Sequence, residues 1–219
     1  MLKAYEVFPE SFADHDDRAY SGSSNGVADV LDEVRQATDY LLKTHPDSST
    51  LVVRVGGSQD HDLWVTSPYQ STLSVGQGGG KRPVQTGGRA DIAGLAAAAL
   101  ALMSTLTDDA EHAQECLDVA ESLYVLGNSR KGTTWDLFYA DETWQDDMLC
   151  AAVELYRATG YEGYLDDARA LDAQIGSHDW VLSWAQVGPL SARAVRRHRR
   201  QRNQESLVRR RGPLRLVGQ

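Results

Sequence analysis

The sequence predicts an all-α protein in which helical hairpins are joined by long loops. Apolar residues recur every three to four positions over several segments, the period of an amphipathic helix. Two pairs of these segments are separated by short breaks, at 107–109 and at Gly160, which predicts two αα-hairpins. Hairpins that repeat with long loops between them are typical of a helical toroid or solenoid, whose functional face is made by the loops.

The first predicted helix covers residues 24–44. Ser24 and Asn25 are candidates to cap it, and acidic residues near its start favour an N-terminus. Pro46 follows its end. Its apolar stripe consists of Val27, Val30, Leu31, Val34, Thr38 and Leu41.

A long segment at 45–90 separates this helix from the next. It is rich in Gly, Ser, Thr, Pro and Gln, and within it only Leu51 to Val55 favours a short strand. A long ordered loop in a compact domain is usually functional, so this loop is a candidate for the working surface.

Four further helices make up the two hairpins. In the first hairpin Asp91 is predicted to cap a helix, and the residues expected to face inward are Ile92, Leu95, Ala96, Ala99, Leu100 and Met103, then Ala113, Cys116, Leu117, Ala120, Leu123 and Tyr124. A second loop at 128–145 is rich in Trp, Tyr and Asp. The second hairpin is predicted at 146–159 and 162–175, with Gly160 ending its first helix.

Charge divides the chain into two parts. The 219 residues carry a formal net charge of −9. From Pro189 onward there are ten arginines and one acid, a net of +9, which leaves 12 basic and 30 acidic residues, a net of −18, in 1–188. We therefore predict one domain at 1–188 and a basic tail at 189–219 that is either non-native, as from translation out of frame, or a disordered basic arm. The tail has neither interleaved aromatic residues nor helical periodicity, so neither a nucleic-acid nor a membrane partner is predicted.

Several other classes of function are disfavoured. The stretch Gly76 to Lys81 is rich in glycine, but Val75 and Arg82 stand where a phosphate-binding loop needs Gly and Ser or Thr. The six histidines have no zinc-ligand spacing. The N-terminus does not look like a signal peptide, no apolar run is long enough for a membrane helix, and Cys116 and Cys150 are expected to be reduced and buried.

Two loop segments are candidates for binding a sugar. In Asp60–Trp64, Trp64 offers an apolar face and His61 a hydrogen-bonding ring, a combination that suits a pyranose. The loop at 135–144 has four aromatic residues, Tyr139 and Trp144 among them, with three acids. The alternatives are a Trp that only anchors its loop and an aromatic cluster that only closes the core.

Taken together, several stretches of the chain resemble glycoside hydrolase family 9, in the order in which that family carries them. Ala28 stands where the family usually has Pro. The matching stretches are Leu2–Pro9, Ser24–Val34, Asp39–Lys43, Val55–Gly57, Asp60–Trp64, Asp91–Ala101, Tyr139, Asp146-Asp147, Leu155–Gly160 and Tyr164-Leu165.

The resemblance implies an (α/α)6 barrel, present here in part, and hydrolysis of β-1,4-glucan with inversion. It implies that His61 and Trp64 line the substrate cleft and that Tyr139, Trp144 and Trp184 contribute to its aromatic platform. Asp146 and Asp147 match a pair that binds structural calcium in some members, although Ala185 stands where a further ligand is expected. The resemblance also implies a secreted protein.

The same resemblance implies that this chain is an internal fragment that lacks the catalytic residues. The family's base lies just before the stretch that begins here at Met1, and its acid lies beyond the point where this chain diverges. We therefore expect the chain on its own to be inactive. Two alternatives are a non-catalytic helical domain that binds glucan or a protein, and a different (α/α)6 enzyme that acts on another polysaccharide.

Overall fold

The structure, a computed structural model, describes residues 1–15, 24–61, 63–80, 82–133, 140–175, 183 and 186–191, without the side chains of Gln59 and His61. This part of the chain is mostly helical, with one small sheet. Its α-helices are α1 Leu2–Val7, α2 Asp29–Thr44, α3 Ser67–Thr72, α4 Ala90–Ser104, α5 Ala110–Ser129, α6 Gln145–Thr159 and α7 Glu162–Asp172. The strands β1 Val52–Val55 and β2 Val84–Thr86 pair antiparallel.

The core is built around α4 and α6, which pack against each other. We expected α4 to bury one face, and this expectation was wrong, because α4 is buried on nearly every side. Its alanines are small enough for α5 and α6 to approach it from different directions. A helix that is apolar all round belongs in an interior, so α4 is an inner helix. Residues Asp146 to Leu155 of α6 are also buried without a break.

The helices α5 and α7 cover the inner pair from outside, and each buries a single stripe. Tyr124 of α5 donates a hydrogen bond to Asp167 at 3.0 Å, and Tyr164 of α7 donates one to Glu121 at 2.9 Å. Because α4 packs against α5 and α6 packs against α7, the two predicted hairpins are confirmed. An inner helix followed by an outer helix, twice over, is the repeat of an α/α toroid.

The start of α2 differs from the prediction. Ser24 and Asn25 do not cap the helix, which begins at Asp29 after Ala28. Gly26 has a φ of 89°, a left-handed conformation that a helix cannot contain, so it closes a turn instead. In that turn the Asn25 side chain accepts a hydrogen bond from the Val27 amide at 2.8 Å, and the Ser24 hydroxyl donates to Asp14 at 2.6 Å.

The long segment after α2 is partly ordered by secondary structure. The predicted strand is confirmed as β1, whereas β2, α3 and the 3₁₀ turns Ser58–His61 and Val75–Gln77 were not predicted. The buried His45 fixes the start of the segment, since one ring nitrogen lies 2.7 Å from the Thr50 carbonyl and the other 2.8 Å from the Ser122 hydroxyl. The segment is therefore tied to α5.

The last described segment, 186–191, packs against α6. The Val187 amide donates to Asp146 at 2.9 Å, and Val187 and Ser191 are buried. The residues from 192 onward lie outside the described part, so the boundary at 188 stays a prediction. In the described residues no helix combines the length and apolarity needed to cross a membrane.

Both cysteines are free and buried, as expected. Burial raises the pKa of Cys116 and of Cys150 to about 12. The thiolate is the reactive form, so neither thiol reacts readily in the folded protein. We expect Ellman's reagent at pH 8 to modify neither cysteine in the native chain and both after unfolding in urea. Rapid modification of either thiol in the native state would contradict this packing.

Candidate functional site

Three helix termini meet at one end of the bundle. A Cβ added to Gly94, near the start of α4, would lie 2.7 Å from the Asp147 carbonyl carbon, so α4 and α6 begin side by side. A Cβ added to Gly127, near the end of α5, would lie 2.7 Å from the sulfur of Met148. We call this end the loop end, because the loops that precede α4 and follow α5 start from it. Both candidate segments of the sequence are therefore carried at the same end.

A hydrogen-bonded network, the Asp60 network of Asp60, Gln70 and Arg82, holds the long loop in shape. Asp60 accepts from Arg82 Nε at 3.0 Å, from Gln70 Nε2 at 3.2 Å and from the Gly57 amide at 2.8 Å. Gln70 is buried, also donates to the Gly78 carbonyl at 2.9 Å, and accepts from Arg82 at 3.1 Å. This network was not predicted from the sequence, although Asp60 is the first residue of the candidate sugar-binding segment Asp60–Trp64.

A glycine is required beside the network. Gly56 has a φ of 110°, and a Cβ there would lie 2.3 Å from the Asp60 carboxylate. Any larger residue would therefore displace Asp60 from the Gly57 amide. Local geometry at 56–60 thus fixes the 3₁₀ turn Ser58–His61, which ends at His61.

Trp64 follows this turn and is completely exposed, at 103% of the reference area. An indole left in water forgoes the stabilisation that burial would give, so its exposure on an ordered loop needs a reason other than core packing. The described backbone places His61 three residues before it, at the end of the turn; the His61 side chain is outside the described residues. The structure therefore presents Trp64 to solvent.

Trp144, the second predicted aromatic residue, differs from Trp64. It precedes α6 at its N-cap and is partly buried against the core. Lys131 Nζ lies 5.5 Å from the centre of its ring, within the range of a cation–π contact. Trp144 thus anchors its loop as well as facing Lys131. Tyr139 and Trp184 lie outside the described residues, and the binding roles of all five predicted residues stay predictions.

Four aspartates lie close enough to influence one another at the loop end. Burial, together with the charges of Asp146, Asp141 and Asp91, raises the pKa of Asp147 to about 9. Burial also raises the pKa of Asp141 to about 6, with Asp146 and Asp91 contributing. Neither carboxyl has access to a glycan, because Asp147 is fully buried and Asp141 nearly so. Their raised pKa values therefore reflect burial and do not identify a catalytic acid.

The same aspartates were tested for a fit to calcium. The Asp146 carboxylate already accepts from the Thr143 hydroxyl at 2.9 Å and from the amides of Val187 and Gly188 at 2.9 and 3.3 Å. Both Asp147 oxygens are buried, and neither has a hydrogen-bond partner among the residues that the structure describes. Across the described ranges, no group of three or more His, Cys, Asp or Glu residues is arranged to hold a metal ion. The two orphaned oxygens of Asp147 suit a hard cation, but the described residues alone supply too few ligands, so a calcium site at Asp146 and Asp147 stays a prediction.

The fold and the loop end define a class: an α/α toroid with an exposed aromatic residue on a loop. Residues 1–210 match the family described as Glycosyl hydrolase family 9. The chain is 34% identical over 184 residues to Endoglucanase A of Fibrobacter succinogenes, covering 78% of this chain and 40% of that protein. The chain belongs to glycoside hydrolase family 9.

Solved structures agree with this assignment. The cellulase Cel9M of C. cellulolyticum superimposes with a TM-score of 0.75 at 27% identity, over 90% of this chain and 45% of that one. Its structure in complex with cellobiose gives a TM-score of 0.74 at 25% identity, over 90% and 46%. The expected partial (α/α)6 toroid is confirmed, and the chain spans less than half the length of these relatives.

Proposed function

We propose that this chain forms part of the substrate cleft of a secreted, inverting β-1,4-glucanase, and that Trp64 stacks on a glucose ring. The observation that carries the proposal is the full exposure of Trp64 on a loop that the Asp60 network orders. The loop lies at the end of the toroid where α4 and α6 begin. A cellulase of similar fold was solved with cellobiose bound, which supports a glucan as the ligand.

The chemistry of the loop suits a pyranose. The face of a glucose ring carries axial C–H groups, which pack on an indole, while its hydroxyls need polar partners around the rim. The Asp60 network holds the loop before ligand arrives, so less conformational entropy is lost on binding. The loop at 56–82 therefore presents a preformed apolar platform.

Substitution of Trp64 tests the proposal. In the full chain, Trp64→Ala should weaken binding to cellohexaose by about 1–3 kcal/mol, the scale of losing one stacked aromatic contact. Isothermal titration calorimetry measures the change, and circular dichroism checks the fold. The matched control is Tyr161→Ala, because Tyr161 is an exposed aromatic residue beyond the far end of α6 and should leave affinity unchanged. Equal affinities of wild type and Trp64→Ala would show that Trp64 does not touch the glycan.

Hydrolysis requires two catalytic carboxyl groups in addition to the residues that bind the glucan. Inversion needs a carboxylate that activates water and a carboxylic acid that protonates the leaving oxygen, and loss of the acid alone reduces the rate about 10² to 10⁴-fold. No carboxyl of this chain matches the family's base or acid motif. We therefore expect the full chain to bind cellohexaose without releasing reducing sugar from carboxymethylcellulose. Turnover above that of a mock preparation would contradict this expectation.

A further inference from the structure

A second concave site lies at the loop end, between the segment that joins β2 to α4 and the residues that follow α5. Its volume is about 610 Å³, large enough for a sugar unit. Its wall includes three cations, Arg89, Arg130 and Lys131, and no acid is found among the described residues that line it. We call it the basic pocket and define it by these three residues.

The three cations are exposed and are held by neutral acceptors. Arg89 donates to the Thr133 carbonyl, Arg130 donates to the Ser49 carbonyl at 3.0 Å, and Lys131 lies over the ring of Trp144. Among the described residues, none of the three has a carboxylate within ion-pair distance, whereas Arg35, Arg82, Arg157 and Arg169 each do. The positive charge of the pocket is therefore not neutralised by the acids of the described chain.

Helix ends do not account for this charge. The C-terminus of α5 carries about half a negative charge, which favours a cation after Ser129 but is less than the charge of Arg130 and Lys131 together. The N-terminus of α4 carries about half a positive charge, and Arg89 adds to it at the N-cap position. Net positive charge is left over, in a domain that is otherwise strongly acidic. Crowded cations cost free energy that a bound anion offsets.

The remaining wall suits a carbohydrate that carries the anion. Gln85 and Thr86 are exposed polar residues that can pair with hydroxyls, and Gly87 leaves the backbone open to close approach, because nothing lies within 4 Å of a Cβ added there. Arginine forks match the two oxygens of a carboxylate. Trp144, through its contact with Lys131, brings an aromatic ring to the edge of the pocket. The pocket also opens at the same end of the toroid as Trp64.

From this arrangement we infer that the basic pocket binds the carboxylate of a uronate unit on a β-1,4-linked glycan. The inference rests on the proposed glycan-binding function and specifies its substrate class, an acidic glycan. Trp64 would hold a neutral ring of the chain, and the basic pocket would hold the charged unit. The site then distinguishes a glycan that carries a uronate unit from a neutral glycan, because only the uronate places a negative charge in the basic pocket.

The test compares three ligands on the full chain by titration calorimetry: cellotetraose, a tetrasaccharide of the same backbone with one glucuronate unit, and sodium glucuronate alone. We expect the acidic tetrasaccharide to bind about 10-fold more tightly than cellotetraose at low salt. Raising the salt concentration to about 0.5 M should remove most of this advantage and leave cellotetraose binding unchanged. The comparison at low and high salt uses only the wild-type chain, so its result does not depend on whether a variant folds correctly.

Charge removal supplies the second arm. Arg130→Gln and Lys131→Gln should each reduce the preference for the acidic ligand several-fold, and Arg130→Gln should do so without altering the affinity for cellotetraose. The control is Lys43→Gln, since Lys43 is an exposed cation of α2 that does not line the pocket. It should retain the full preference.

The outcomes separate this inference from the proposed function. Equal binding of the neutral and acidic tetrasaccharides, insensitive to salt and to the pocket variants, would overturn the basic pocket and leave the glucan cleft standing. Salt-sensitive binding of glucuronate that the pocket variants abolish, with no binding of cellotetraose, would support the pocket and overturn the glucan cleft. Binding of none of the three ligands would overturn both.

Discussion

Gly94→Ala is expected to lower the free energy of unfolding by about 1–3 kcal/mol, the usual cost of overpacking a tight contact. The added methyl group would lie 2.7 Å from the Asp147 carbonyl carbon, 2.8 Å from the Met148 nitrogen and 2.9 Å from the Asp147 oxygen. These are backbone atoms of α6, so the contact is relieved only if the two inner helices move apart. The effect opposes the gain of about 1 kcal/mol that Ala normally brings to a helix interior.

The matched control for this variant is Gly127→Ala. Gly127 also lies inside a helix at the loop end, but its nearest neighbours are side-chain atoms: Met148 sulfur at 2.7 Å and Ala93 Cβ at 3.3 Å. The unbranched Met148 side chain can change rotamer, so we expect a loss smaller by at least about 1 kcal/mol. Urea unfolding followed by circular dichroism measures both variants. Equal losses would show that the approach of α4 to α6 is not limited by backbone contact.

The contact between α4 and α6 also shows why the sequence predicted the positions of the helices better than it predicted which of their faces are buried. Periodicity predicted the four helices of the two hairpins near their observed positions. A period of 3.6 describes a helix with one buried face, however, and α4 has neighbours on several sides. Only the packing of α5 and α6 around it makes Ala93, Ala97 and Ala101 fully buried. Whether a helix is an inner or an outer helix of the toroid therefore depends on its tertiary contacts, which the local hydrophobic pattern does not encode.

The candidate site shows a similar limit. Residue chemistry and family resemblance singled out Trp64, and the structure exposes it fully. The Asp60 network was not predictable, because Arg82 lies 22 positions from Asp60 and no local pattern links them. The basic pocket was hidden for the same reason: Arg89 and Lys131 come from different loops, and the net charge of the chain indicates the opposite sign.

Asp147 is the buried group whose removal should stabilise the protein most. Both its oxygens are buried near other carboxylates, neither has a hydrogen-bond partner in the described part of the chain, and its pKa is raised from 3.8 to about 9. Because the folded-state pKa lies above the unfolded value, the folded state keeps a proton that the unfolded state releases above about pH 4. The contribution of Asp147 to stability is therefore most favourable below about pH 4 and is lost progressively as the pH rises towards 9.

Asp147→Asn removes this titration. We expect the variant to be more stable than wild type by about 1–3 kcal/mol at pH 8, a value reduced from the full pKa shift because water or local rearrangement relieves part of the burial. At pH 4 the two proteins should differ little, because the wild-type carboxyl is then neutral in the folded state and still close to half protonated in the unfolded state. Asp146→Asn should have the opposite effect at pH 8, since the Asp146 carboxylate accepts hydrogen bonds from Thr143, Val187 and Gly188.

Urea unfolding of the three proteins at pH 4, 6 and 8, with a chelator present, measures these differences. Two results together would establish that the adjacent carboxyls have opposite roles: Asp147→Asn stabilises the protein increasingly as the pH rises, and Asp146→Asn destabilises it. Asp147 would then be an uncompensated buried acid, and Asp146 the hydrogen-bond acceptor that ties 186–191 to α6. A repeat with millimolar calcium tests the predicted metal site independently. If calcium raises the wild-type stability above that of Asp147→Asn, the pair binds the ion and Asp147 is not uncompensated. If calcium changes nothing and Asp147→Asn is still the more stable protein at pH 8, the repulsion among the buried aspartates at the loop end is not relieved by calcium.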